Sequence, residues 1–143
     1  MKELGVPTRL THDKDKTKAN LWCTIGPQDI GGVVLSGHTD VVPIDGQEWT
    51  KTPFRMSEES GKLFGRGTSD MKGFCAIALA MAPEMKSRDL KVPIHFAFSF
   101  DEEVGCVGVR HLIKDVVDNL PLPRAVIVGE PTSMKIVGGN KGG

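Results

Sequence analysis

The sequence carries no surplus of either charge: 18 Lys and Arg balance 18 Asp and Glu, and the lysines are scattered. A nucleic-acid surface usually needs a basic stripe, so the balance speaks against a nucleic-acid partner. A long apolar run is also missing. The longest stretch, residues 74–82, is far short of the ~20 residues that span a bilayer, so no membrane partner is expected. Residues 1–20 are polar, and no secretory signal is read there. Three cysteines, Cys23, Cys75 and Cys106, form no CxxC pair. Reduced thiols in a cytoplasmic protein are the plain reading. The phosphate-loop spacing GxxxxGK[ST] is absent too, as is GxGxxG after a strand.

What is present suits one packed domain: 143 residues, 39% apolar and 25% charged. The pattern alternates strands and helices. Residues 20–25 read as a strand stopped by Gly26-Pro27. Residues 33–36 form a short apolar run bounded by glycines, which suits a strand covered on both faces. Residues 54–56 and 62–64 flank a hairpin signal at 58–61. A helix is expected from Lys72 to Ala82, where Pro83 kinks or ends it. Residues 93–100 alternate as a strand, with Ile94, Phe96, Phe98 and Phe100 on one face. Residues 107–119 have Val109, Leu112, Ile113, Val116 and Val117 at helical spacing. Residues 125–128 read as another buried strand, and Ile136-Val137 as the start of one more. The expected fold is α/β, a three-layer sandwich with a mostly parallel sheet flanked by helices.

In open α/β sheets functional groups gather beyond the carboxyl ends of strands. Four polar clusters are read at such points. Gly37-His38-Thr39-Asp40 places His38 and Asp40 on the same side of an extended chain, as a ligand and the carboxylate that fixes its tautomer. Alone it reads equally as a loop histidine with a capping aspartate. Residues 65–73 place Asp70 at the turn into a helix, as a simple cap or as a carboxylate aimed into a cleft. Asp101-Glu102-Glu103 ends an apolar strand, where crowded acids call for cations unless the turn is simply solvated. Gly129-Glu130-Pro131-Thr132 holds Glu130 extended before proline, or is an ordinary strand exit. Together they put one histidine and several carboxylates at one sheet edge. That donor set suits zinc or a similar divalent ion, and a shared carboxylate would fit a pair of ions. His95 and His111 read as structural or surface residues, His12 as solvated, and Cys75 as core. Cys106 has no adjacent base and reads as no nucleophile.

These four clusters, in this order, resemble the motifs of the metallopeptidase M20 family, over nearly the whole chain. Residues 18–22, 45–49 and 140–142 are most similar to its acetylornithine-deacetylating branch. The resemblance implies that His38 and Glu130 bind a first metal, that Asp70 bridges it to a second, and that Glu103 binds the second. It places Asp40 and Glu102 in catalysis, Asp40 steadying the imidazole and Glu102 serving as general acid/base. It makes Asp70–Met71 a candidate cis peptide. It implies two divalent ions, zinc or cobalt, and a small-molecule N-acyl amino acid substrate, N-acetylornithine of arginine biosynthesis first. Desuccinylase, aminoacylase or carboxypeptidase activity is the alternative within the family. A non-catalytic metal-binding remnant and a nucleotide module built on residues 65–73 are the alternatives outside it. Residues 1–143 would be part of a catalytic domain whose C-terminal part and dimerisation domain lie elsewhere, in a full-length homodimer. Where the family has His-Lys-Gly this sequence has Asn140-Lys141-Gly142.

Overall fold

The alternation of short apolar strands with two amphipathic helices resolves into one central sheet in the computed structural model, which describes residues 1–139. The Asn140-Lys141-Gly142 segment lies outside them. The sheet contains β1 (Thr8–His12), β2 (Ala19–Ile25), β3 (Val33–His38), β6 (Ile94–Ser99) and β7 (Ala125–Val128) in the order β1-β2-β6-β3-β7. A separate hairpin consists of β4 (Ser57–Glu59) and β5 (Lys62–Phe64). The helices are α1 (Lys72–Ser87) and α2 (Val107–Asn119). β3 pairs in parallel with both β6 and β7, while β2 runs antiparallel to β1 and β6. All the strands of this five-stranded sheet but β2 therefore point the same way.

The central position of β6 follows from its composition. Phe96 and Phe98 face α1, while His95 and Ala97 face the other side, and all four are buried. The alternation read in the sequence is thus not one of inside and outside, because a helix covers each face. Under α1 lie Cys23, Ile25, Phe96 and Phe98, met by Cys75, Ala78 and Ala82. These three recur at helical spacing, and their small size lets α1 lie close to the sheet. Under α2 lie Trp22, Val34 and Ala97, met by Leu112 and Val116. Burying a large apolar side chain fully contributes about 1.5–3 kcal/mol, so Phe96, with 0% exposure, is among the strongest single anchors.

Several expectations are corrected. α1 does not stop at Pro83 but continues to Ser87. Pro83 sits on the exposed side, where water can satisfy the carbonyl that loses its donor. Ala82 and Met85 on either side of it pack into the core. The first hairpin strand is Ser57–Glu59, not 54–56, because the turn closes tightly on Ser60 and Gly61, with φ of 52° and 71°. β7 is present but exposed along its whole length, at the sheet edge among the described residues. Ile136 and Val137 form no strand and are exposed. Residues 8–12, within the polar N-terminal stretch, form strand β1, with His12 its exposed last residue. Of the helical positions read in 107–119, Leu112 and Val116 are buried, whereas Ile113 and Val117 are exposed. No helix among the described residues is long and apolar enough to cross a membrane.

Candidate metal centre

Three of the four polar clusters leave the sheet at the same edge: residues 37–40 after β3, 101–103 after β6 and 129–132 after β7. The fourth, residues 65–73, corrects the sequence reading. It follows β5 of the separate hairpin and leads into α1, so a helix start and not a strand end delivers Asp70.

Gly37 shows why that helix start comes so near. A Cβ there would stand 2.7 Å from the Cys75 sulfur and 3.0 Å from the Met71 methyl. Only a glycine lets β3 pass this close. The backbone of His38 is then held from both sides. Its N–H donates to the sulfur of the fully buried Met71 at 3.2 Å, and the Cys75 thiol donates to its carbonyl at 3.6 Å. Asp70 does not cap α1: the cap position is Met71, and no side chain bonds there. The Asp70–Met71 peptide is cis, as the sequence resemblance implied. Gly129 plays a similar part, since a Cβ there would overlap the Phe74 ring. Its absence lets Glu130 approach from β7.

The imidazole of His38 has 2% exposure and carboxylates around it. Its Nδ1 lies 3.0 Å from the Asp40 carbonyl oxygen and 3.5 Å from an Asp40 carboxylate oxygen. A carbonyl only accepts, so Nδ1 carries the proton and Nε2 presents a lone pair. Nε2 lies 3.1 Å from Asp70 Oδ1, 3.6 Å from Glu130 Oε1 and 3.8 Å from Glu102 Oε2. One ligand atom each from His38, Asp70 and Glu130 falls within a mutual 4.8 Å. Glu103 is not in that group, but it stands near enough to Asp70 and Glu102 to feel their charge. Asp40 also braces the acidic turn: its carboxylate accepts the N–H of Glu102 at 3.1 Å and of Glu103 at 3.0 Å.

The electrostatics are those of a site short of positive charge. Burial pushes the Glu130 carboxyl above its ordinary pKa, and repulsion from Asp70 adds to it. Glu103 is raised for the same two reasons. Burial opposes the His38 imidazolium, but the Asp40 carbonyl and the carboxylates of Glu130, Asp40 and Glu102 outweigh it, and its pKa is raised. Asp40 moves the other way, since the two turn N–H bonds overcome the effect of burial. Among the described residues no Lys or Arg pairs with Asp70, Glu102, Glu103 or Glu130. A divalent cation is the charge such a donor set fits.

A family model described as Peptidase family M20/M25/M40 matches residues 34–139. The chain belongs to this family. The match takes in His38, Asp40, Asp70, Glu102, Glu103 and Glu130. Over 127 residues this M20 chain is 40% identical to acetylornithine deacetylase of Shigella sonnei, covering 89% of the chain and 32% of that protein. It therefore spans about a third of the length of that relative. Among solved structures it resembles an M20 family metallo-carboxypeptidase of Sulfolobus solfataricus, with TM-score 0.73 and 26% identity over 90% of the chain and 29% of the other. It also resembles human carnosine dipeptidase 1, with TM-score 0.70 and 27% identity over 89% and 30% of the two chains.

The single-sequence reading overlooked Met71 as a support of His38. It also gave no structural role to Lys18 or Asn20, which lie beside the acidic turn. A lysine just before, and an asparagine near the start of, the largely apolar β2 were the available signal.

Proposed function

We propose that this chain is part of the catalytic domain of a metal-dependent amide hydrolase that removes the acyl group from an N-acyl amino acid, with N-acetylornithine as the first substrate to test. The reading rests on one observation. His38, Asp70 and Glu130 bring ligand atoms within a mutual 4.8 Å, with Glu102 Oε2 3.8 Å from the same imidazole nitrogen. The likeness to acetylornithine deacetylase supports the choice of substrate.

In this reading His38, Asp70 and Glu130 would hold one ion, zinc or cobalt. Asp70 and Glu103 would hold a second. Such ions, when bound, supply Lewis-acid activation of water and of the scissile amide carbonyl. The chain's own residues do the rest. Asp40 keeps the proton on His38 Nδ1 and so keeps Nε2 free to ligate. Glu102 accepts a proton at Oε2 from the attacking water. It returns that proton to the amide nitrogen as the carbon–nitrogen bond breaks, so that the leaving group departs as an amine. A positioned acid/base of this kind is typically worth about 10²–10⁴ in rate. The remainder of the catalytic domain and a dimerisation domain belong, in this reading, to the longer protein, a cytoplasmic homodimer.

Zinc wants about four ligands, and the second ion has only Asp70 and Glu103 here. Titration with zinc against a chromophoric chelator is therefore expected to show one tight and one weak step. Two equally tight steps would contradict the ligand assignment. The isolated chain is expected to turn over N-acetylornithine little or not at all. In a chimera, this chain replaces the matched third of the Shigella sonnei deacetylase. It should hydrolyse N-acetylornithine and lose about 10²–10⁴ in kcat on Glu102→Gln. Unchanged turnover in that variant would remove Glu102 from the chemistry.

A further inference from the structure

We infer that Lys18, together with Asn20, is a positioning residue for the turn that carries Glu102 and Glu103. This rests on the proposed metal centre and adds a support on its far side. The topology puts it there. β2 is the one strand running against the rest of the sheet, so its start, not its end, lies at the edge where β6 delivers the acidic turn. Lys18 immediately precedes β2.

Its ammonium donates to both carboxylate oxygens of Asp101, at 2.6 and 2.7 Å. An exposed ion pair is usually worth little, because two loose side chains must be ordered to make it. Here both ends are already ordered. The Lys18 N–H donates to Asp13 Oδ1 at 3.0 Å, and Thr17 Oγ1 donates to the same carboxylate at 2.7 Å, which fixes the turn that presents Lys18. Asp101 has a φ of 52°, in the left-handed region, and its carbonyl accepts the N–H of Val107 at the head of α2 at 3.0 Å. A residue in that conformation persists only where its surroundings hold it.

Asn20 holds the shoulders of the same turn. It has 0% exposure. Its Oδ1 accepts the N–H of Phe100 at 3.3 Å, and its Nδ2 donates to the carbonyl of Gly108 at 2.9 Å. Glu102 and Glu103 are thus clamped from two directions: by the Asp40 carboxylate on the metal side, and by Lys18 and Asn20 on the side of β2. Loss of the outer clamp frees the turn to swing, which moves Glu103 and slackens the grip on Asp40, and through Asp40 on His38.

The test uses the full chain with zinc alone as the probe. Lys18→Met and Asp101→Asn remove the pair from either side. Each is expected to weaken overall zinc affinity by about tenfold, no more than the low end of what a direct hydrogen-bond partner of a metal ligand contributes. The double variant should be no worse than either single one. Lys18→Arg, which keeps a charged donor for both Asp101 oxygens, should restore the affinity. Lys114→Met breaks a comparable exposed pair with Asp118 on α2 and should change nothing. Amide hydrogen exchange at Glu102 and Glu103 should speed up in Lys18→Met ahead of the rest of the chain. Unaltered zinc affinity in Lys18→Met, a loss that Lys18→Arg does not restore, or an equal loss in Lys114→Met each overturns the inference. If Lys18→Met does not fold, Asp101→Asn carries the same expectation. A wild-type chain that binds no zinc removes the metal centre and this inference with it. A wild-type chain that binds zinc no better than Lys18→Met removes the inference alone.

Discussion

The two buried imidazoles show how neighbours decide what a histidine does. His38 has an acceptor at Nδ1 and carboxylates at Nε2, so its Nε2 lone pair is offered to a cation. His38→Ala should lower zinc affinity by far more than Asp40→Asn, for which an outer partner's roughly 10–100-fold is expected. Chelator competition measures both, and equal effects would mean that the imidazole is not a ligand. His95 is arranged for neutrality. Its Nε2 accepts the Gly32 N–H at 3.1 Å, its Nδ1 meets Thr24 Oγ1 at 2.9 Å, and Trp22 stacks on it at 4.8 Å. A second proton would set an N–H against the Gly32 N–H. Burial holds its pKa below the ordinary value. The unfolded chain then takes up a proton at higher pH than the folded one. The stabilisation from His95 is complete above about pH 6.5 and is lost as pH falls through the folded pKa. Melting temperature should drop as pH falls below about 6.5, and His95→Gln should flatten that slope. An unchanged slope in the variant would show that His95 is not the group responsible.

Prolines and glycines mark where sequence and structure part. Pro83→Ala should stabilise the protein, because a proline in a helix interior costs up to about 3 kcal/mol relative to alanine and α1 already runs through it. Urea unfolding would read this directly; a loss of stability would mean that Pro83 makes contacts that outweigh its helix cost. The sequence alone leaves Pro83 as a kink or an end because proline chemistry is local, whereas the packing of Ala82 and Met85 that carries α1 onward is not. α2, by contrast, was legible to its ends, since a glycine and cysteine precede its apolar spacing and two prolines follow it. β7 was legible as a strand but not as an exposed one, because an apolar run does not reveal what lies beside it. At the site, His38, Asp70 and Glu130 stood out as polar groups beside a glycine or a turn, but each alone also read as an ordinary loop, cap or strand exit, and it was the family resemblance that joined them into one ligand set. Lys18 and Asn20 did not stand out, because their role depends on strand direction, and no residue in β2 announces that it runs backwards.

A bound ion and the fold of the whole chain would be linked through mass action. His38, Asp70 and Glu130 come from β3, the turn into α1 and the exit of β7, so an ion shared among them would tie three separate stretches together. Zinc at 100 times its Kd should add about 2.7 kcal/mol to folding stability, and excess chelator should remove it. A melting temperature indifferent to both would mean that the folded chain does not bind the ion in preference to the unfolded one. The reversed strand has a last consequence for anyone trimming this chain. The family model's match begins at Val34, and a truncation made there looks conservative on paper. It would strip the Phe96 strand of its partner on one flank, leave its amide groups open to any passing chain, and take away much of the bed on which α2 rests. The stretch ahead of that match is a wall of the building, not its porch.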